Sequence, residues 1–450
     1  MLAVLPGCLA ERSFPMVPER LARLKPDGGR VPARAWARAM HAAARDRLPD
    51  QSRDALTTDD LTGAPAQVWR HFALDPARLD SLWGNWDGIE KTALVASPPP
   101  QIESGHIQRA AWKGFEDVEL PGVGGAMLFA RLGRPQPAHA MPGSAIIITH
   151  GLFGTLDGID MENQAQALRR AGHTVLALEM RGHGETNCRH PEYAITFGMY
   201  EVGDLAAAAG WLKTQVAATR VGLVSFSLTA YEALLLGWLD GQAPVTELNG
   251  YPALAQLPKP GPEPVFNAGM LVISPPVGIL SLADGFTPKA EPLNAPCRAT
   301  FQGHVVARLE AYGEPPAYGM WDLAKSEFTR AGFLTPGGDT AVFRESFYRF
   351  IDLSRDSWRV GAARMENVRV PLLVLHAADD PLGTAQGVAD LFGRVRNPNV
   401  GVIILRQGGH MGFSALSADY YYSVITNFFD PATAPATVSP VAGIVRRNVP

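Results

Sequence analysis

Two hydrophobic rhythms alternate through most of the chain. Short, largely apolar runs at 145–149, 174–179, 221–225, 270–274, 371–375 and 400–405 have the length and β-branched content of strands buried on both faces. Between the earlier runs the apolar positions fall at helical spacing instead. Met161, Ala165 and Leu168 precede a stop at Gly172, and Val202, Leu205, Leu212 and Val216 follow on one face of a second helix. Strands and helices taking turns at this length predict a mostly parallel central sheet with helices on both faces. Such sheets bind their ligands at the carboxyl ends of the strands.

The flanks of this α/β core read differently. Phe115 to Leu120 and Ala126 to Leu132 enclose Pro121-Gly122-Val123-Gly124-Gly125, the pattern of a hairpin. Its glycines do not form G-x-G-x-x-G, so nothing there favours a dinucleotide. Residues 1–105 read as a helical N-terminal accessory region, with Trp36, Met40, Ala44 and Leu48 on one stripe and a stiff linker at Ser97-Pro98-Pro99-Pro100. Its expected role is to pack against the core. The core itself spans 106–277 and 366–430, split by an insertion at 278–365 that lacks the alternation. Instead that region carries Trp321, Phe328, Phe333, Phe343, Phe347, Tyr348 and Phe350. Tyr421, Val424 and Phe428 carry a last helix, and 431–450 read as a loosely ordered tail.

Three polar residues at strand ends change the picture from architecture to chemistry. Ser227 sits in Ser225-Phe226-Ser227-Leu228-Thr229-Ala230, at the apex between a strand and the helix-forming stretch Tyr231 to Leu239. A hydroxyl held on so sharp a turn clears the backbone, where a base and a substrate carbonyl can both approach it. The positions two before and two after such a serine must be small, and here they are Ser225 and the β-branched Thr229. The run 371–375 ends in His376-Ala377-Ala378-Asp379-Asp380-Pro381, and 400–405 leads to Gly408-Gly409-His410-Met411-Gly412-Phe413. Serine, acid and histidine thus follow in chain order, each beyond a predicted strand. A serine hydroxyl needs a base, His410, and the base needs a carboxylate to hold its tautomer. Asp379 and Asp380 compete for that place. Asp204 and Asp240 fall on helices, out of chain order, and read as surface residues. Upstream, His150-Gly151-Leu152-Phe153-Gly154 is a glycine-bearing turn whose backbone N–H groups can face an oxyanion. His150 and the turn Arg181-Gly182-His183-Gly184 are expected to hold loops in place.

On these motifs the chain resembles the α/β-hydrolase superfamily over roughly residues 110–430. The ending Gly-Gly-His-Met-Gly-Phe, with Ala-Asp-Asp-Pro before it and His-Gly-Leu upstream, is most similar to the YheT-like esterase branch. Relatives commonly read Gly-Phe-Ser-Leu-Gly-Gly at the elbow, so Ser225, Thr229 and Ala230 depart from them in ways that bear on the turn and not on the serine. The resemblance implies a catalytic set of Ser227, Asp380 and His410. Asp380 is preferred because the acid in relatives lies three residues after a small residue closing the strand, here Ala377. It also implies an oxyanion hole from the N–H groups of Leu152 and Leu228, and a cap over the site at 278–365. Phe153, Phe226 and Met411, with the other apolar residues nearby, are the expected substrate contacts, which suits an apolar acyl group.

Composition narrows the functions without choosing among them. Apolar residues make up 46% of the chain, enough for a sizeable core, and the net charge of −4 comes with no basic run of the kind that binds nucleic acid. Three scattered cysteines, Cys8, Cys188 and Cys297, fit neither a disulfide framework nor a zinc site, so no metal or other cofactor is expected. No apolar stretch reaches the ~18 residues that span a bilayer. A cytoplasmic protein is expected, with membrane attachment through Cys8 as the alternative if the true start lies upstream. The expected activity is that of a serine esterase on a small-molecule ester. An acyltransferase or thioesterase with the same triad, and a non-catalytic relative that binds a ligand or partner, are the alternatives. Oligomeric state is not legible.

Overall fold

Among the described residues the apolar runs become the middle of a nine-stranded sheet. The computed structural model describes residues 30–62, 68–74, 102–103, 106–107, 110–158, 160–241, 261–280, 283, 295–315, 317, 319–335, 337–338, 345 and 351–438. Cys8, the linker candidate at 97–100, the side chain of Cys297, Phe343, Phe347, Tyr348, Phe350 and most of the tail lie outside the described residues. In chain order the strands are β1 (Ala55–Thr57), β2 (Ile102–Glu103), β3 (His106–Ile107), β4 (Phe115–Pro121), β5 (Met127–Gly133), β6 (Ser144–Thr149), β7 (Thr174–Leu178), β8 (Arg220–Phe226), β9 (Gly269–Ile273), β10 (Leu372–Ala377) and β11 (Val400–Leu405). The main helices are α1 (Ala33–Ala44), α2 (Met161–Arg170), α3 (Gly184–Arg189), α4 (Glu201–Gln215), α5 (Ser227–Gly241), α6 (Ala295–Ala311), α7 (Met320–Arg330), α8 (Arg359–Met365), α9 (Ala385–Phe392) and α10 (Phe413–Phe429).

The sheet order is β1-β11-β10-β9-β8-β6-β7-β5-β4, while β2 and β3 pair only with each other. From β7 to β11 the neighbours run parallel, and the β4–β5 hairpin and β1 close the two edges antiparallel. The interior strands are apolar without interruption because helices cover both sides of them. Alternate side chains feed two cores: Ile147, Leu223, Val272 and Val374 face one, and Ile146, Ile148, Val224, Ile273 and Leu375 the other. Edge strand β4 instead exposes Glu116, Asp117 and Glu119, charges that oppose pairing with another sheet.

The N-terminal region is more closely joined to the sheet than a helical accessory reading implies. Its strand β1 pairs with β11 in the register Ala55↔Leu405, and α1 lies over β11 so closely that a Cβ on Gly401 would stand 2.4 Å from Ala33 O. Trp36 is buried against Phe428 of α10, and its indole N–H donates to Thr433 O at 2.8 Å.

Between β9 and β10 the described helices α6 and α7 pack on the loop that follows β7. Arg308 of α6 pairs with Glu327 of α7 and donates to Gly182 O at 2.6 Å, while Glu327 accepts from Ile195 N at 2.8 Å. Phe328 stacks near Phe197, and Phe333 lies against Tyr200. These aromatics therefore make core between the insertion and the loop. Among the described residues no helix is long and apolar enough to cross a membrane.

Candidate active site

Chain direction locates the site. The connection from β6 runs to β7 on one side, while β8 joins β6 on the other, so the loops beyond β6 and β8 part and leave a crevice at their carboxyl ends. Ser227 stands in that crevice, at the junction of β8 and α5, with φ of +51°. Left-handed backbone at a non-glycine residue costs free energy and persists only where the surroundings impose it. Here the strand, the helix and the neighbouring loop do so. A Cβ on Gly151 would fall 2.6 Å from Ser227 Cβ, so only glycine lets the loop after β6 come this near.

Thr229 has a specific partner. Its hydroxyl donates to His150 O at 2.6 Å and ties the first turn of α5 to the loop carrying Gly151 and Leu152. Glycine at this position would lack the bond, so the departure from the usual elbow adds a contact. Ser225 is fully buried in β8, on the face opposite to Phe226.

His410 reaches Ser227 from the loop beyond β11. Its Nε2 lies 2.7 Å from Ser227 Oγ, and its Nδ1 lies 3.0 Å from each oxygen of Asp380. The carboxylate can only accept, so Nδ1 carries the ring proton and Nε2 is free to take the serine proton. The preceding Gly409 has φ of +56°, a backbone that suits glycine, and its N–H donates to Asp379 Oδ1 at 2.8 Å. The adjacent aspartates thus divide the work: Asp380 faces the imidazole, and Asp379 holds the turn that presents it. Asp380 also accepts from Leu382 N at 2.8 Å and Gly383 N at 3.0 Å. Burial acts to raise the Asp380 carboxyl, but His410, through its charge and its hydrogen bond, and the Gly383 N–H outweigh it and hold the group below its ordinary value. His410 and Asp380 are buried, whereas Ser227 keeps part of its surface open.

The other expected residues fall in three places. Leu152 and Phe153 are half-buried on the loop after β6, and Leu228 occupies the first turn of α5, where helix N–H groups lack intrahelical partners. Met411 is half-buried beside His410. Phe226, expected against the substrate, is instead a core residue, 4% exposed and clustered with Val224, Ile273 and Phe413. His150 spends both ring nitrogens on the loops: Nδ1–H donates to Gly151 O at 2.8 Å, and Nε2 accepts from Met180 N at 3.2 Å.

Other supports were not foreseen from sequence. Glu179, fully buried at the end of β7, accepts from Leu156 N at 2.9 Å and Glu185 N at 2.5 Å, joining the loops after β6 and β7. Asp204, read from sequence as a surface residue, is 0% exposed and forms a two-pronged pair with Arg181, at 2.6 Å to Nε and 2.7 Å to Nη2. Asp240 is likewise buried and pairs with Arg369 at 2.9 Å. From the insertion, the His304 ring of α6 stacks on Phe153 with centroids 5.1 Å apart. Among the described residues no group of His, Cys, Asp and Glu is placed to hold a metal ion.

No curated protein matches the chain. Among solved structures, the esterase Pf2001 of Pyrococcus furiosus is similar at 17% identity and a TM-score of 0.43, over 74% of this chain and 98% of that one. XC6422 of Xanthomonas campestris, described as an a/b serine hydrolase without lid, is similar at 16% identity and a TM-score of 0.37, over 74% and 100%. The Alpha/beta hydrolase family matches residues 146–420, more than half of the 450. The chain belongs to the alpha/beta hydrolase family.

Proposed function

We propose that this protein hydrolyses carboxylic esters through an acyl-serine intermediate, with Ser227 as nucleophile, His410 as base and then acid, and Asp380 as the orienting carboxylate. The observation that carries this reading is the unbroken hydrogen-bonded path from Ser227 Oγ through His410 to Asp380, at 2.7 Å and 3.0 Å. As Ser227 Oγ attacks the ester carbon, its proton passes to His410 Nε2, and the imidazolium is stabilised by Asp380. The negative oxygen of the tetrahedral intermediate meets the N–H groups of Leu228 and Leu152. Collapse breaks the carbon–oxygen bond to the alcohol, which leaves with the proton from Nε2. Water then attacks the acyl-serine by the same path in reverse, releasing the acid and the free serine.

Leu152, Phe153 and Met411 are the apolar side chains we assign to the acyl group, while Phe226 serves the core. The Gly-Gly-His-Met-Gly-Phe ending and the Ala-Asp-Asp-Pro turn support the YheT-like esterase branch as the narrower placement. A panel of p-nitrophenyl esters of rising acyl length, with and without an alcohol acceptor, tests the reaction class. Free acid is the expected product, with kcat/KM rising along the series. Acyl groups appearing on the acceptor in preference to water would make the protein a transferase.

The assignment of the acid has its own test. Asp380→Asn should lower kcat by about 10³- to 10⁴-fold, because an amide next to Nδ1 favours the wrong tautomer. Asp379→Asn should cost less than about tenfold, since it retains an oxygen for the Gly409 N–H. Equal, mild losses in both variants would contradict the assignment.

A further inference from the structure

His376 is the penultimate residue of β10, four residues before Asp380, and has no part in the scheme above. It is 0% exposed. Its Nε2 lies 3.0 Å from Gly383 O and 3.7 Å from Asp380 Oδ2. A carbonyl can only accept, so Nε2 carries the proton and donates it to Gly383. Among the described residues, the other ring nitrogen, Nδ1, is buried without a hydrogen-bond partner. Charging the ring would place an N–H with no acceptor in the core, and burial accordingly pushes His376 below the ordinary histidine value. Among the described residues, the charged and titratable groups that act on it are Asp380, His410 and Asp379. A ring kept neutral, with one donor committed, is unsuited to shuttling protons and well suited to holding a fixed position.

What it holds is the turn that holds the acid. Asp380 Oδ1 accepts from the N–H groups of Leu382 and Gly383, at 2.8 and 3.0 Å, while His376 binds the carbonyl of Gly383. The peptide segment 382–383 is therefore gripped at both ends. Gly383 is packed closely in this grip, since a Cβ there would stand 3.2 Å from His376 Cε1 and 3.3 Å from Pro275 O. Without this anchor on the Gly383 carbonyl, the backbone of 382–383 is freer to turn about its soft dihedrals, and its two N–H groups hold the carboxylate toward His410 Nδ1 less firmly.

We infer that His376 is a positioning residue for the acid: by fixing the Gly383 carbonyl it fixes the backbone donors that aim Asp380 at His410. The inference rests on the triad reading of Asp380. In the full-length protein, His376→Leu keeps side-chain bulk and removes the donor, whereas His376→Gln restores an N–H near the place of Nε2. His376→Leu should lower kcat about tenfold with KM little changed. It should also move the acid limb of the kcat/KM profile to lower pH, because a poorly aimed carboxylate stabilises the His410 imidazolium less. His376→Gln should recover most of both. Wild-type kcat and pH profile in His376→Leu, or equal impairment of the Leu and Gln variants, would overturn the inference.

A second measurement needs neither substrate nor a variant. Nitrogen-15 resonances of the wild-type protein at neutral pH should show the His376 ring neutral and protonated at Nε2. A doubly protonated ring, or a proton on Nδ1, would overturn the inference as well. The two levels of the account fail separately. Turnover that survives Ser227→Ala contradicts the triad, while turnover abolished by Ser227→Ala yet indifferent to His376→Leu contradicts only the role of His376.

Discussion

Ser227→Ala should lower ester turnover by about 10⁴-fold or more with no loss of folding stability beyond that of an ordinary surface change. The size follows from what the substitution removes. Without Oγ no covalent intermediate forms, and only the backbone donors and substrate binding remain to assist direct attack by water. The fold tolerates the change because Ser227 is partly open and its Oγ bonds within the site, to His410 at 2.7 Å. His410→Ala should cost a similar factor, and the double variant little more than either alone, since the two side chains act as one unit. Steady-state kinetics on a p-nitrophenyl ester, with circular dichroism as the check on folding, measures all three. Losses that simply multiplied would show that the serine and the histidine act independently.

The largest effect on stability is expected away from the reacting atoms. Asp204→Ala should destabilise the protein by about 3–5 kcal/mol, because it leaves the Arg181 guanidinium charged and buried without its carboxylate. The two side chains are 0% and 4% exposed, so solvent gives Arg181 little compensation. Asp204 also accepts from Val123 N at 2.8 Å, and Arg181 donates to Val123 O at 3.1 Å, so the same substitution frees the turn of the β4–β5 hairpin. Urea unfolding followed by tryptophan fluorescence gives the magnitude. Replacing both members by apolar residues, Arg181→Met with Asp204→Leu, should recover much of the loss, since the cost lies in the uncompensated charge. A double variant weaker than Asp204→Ala would show that the pair contributes net stability of its own.

The placement of these two residues marks what is legible in the sequence and what is not. The strands of the central sheet were legible because helices bury both of their faces, which writes an unbroken apolar run into each one. Ser227, Asp380 and His410 were legible as candidates because each follows such a run, in an order that brings strand ends together. Asp204 and Asp240 were misread because a single apolar stripe suggests that the remaining positions face water. In fact α4 and α5 are covered on more than one side, and the cations that balance the aspartates come from segments far away in sequence. Strand β1 escaped notice because three residues cannot display an alternation, and its partner β11 lies some 350 residues downstream in the register Ala55↔Leu405.

Thr229 shows a subtler limit. Steric reasoning correctly treats a β-branched residue as a tight fit in the elbow, yet the hydroxyl finds His150 O, an acceptor supplied by another loop. Phe226 was misjudged for the opposite reason: nearness to Ser227 in sequence suggests nearness to substrate. Consecutive strand residues point to opposite faces, and Phe226 takes the one whose core holds Ile273 and Phe413. Neighbouring aspartates are similarly alike in sequence, and only the direction of each side chain separates the Asp380 contact with the imidazole from the Asp379 contact with Gly409 N.

The proposed mechanism makes Ser227 a nucleophile activated by His410. Treatment with a fluorophosphonate, followed by peptide mapping in a mass spectrometer, tests it directly. Stoichiometric phosphonylation of Ser227 in the wild-type protein, and almost none in His410→Ala, is the result predicted. An unlabelled Ser227 in folded wild-type protein, or equal labelling with and without His410, would contradict it.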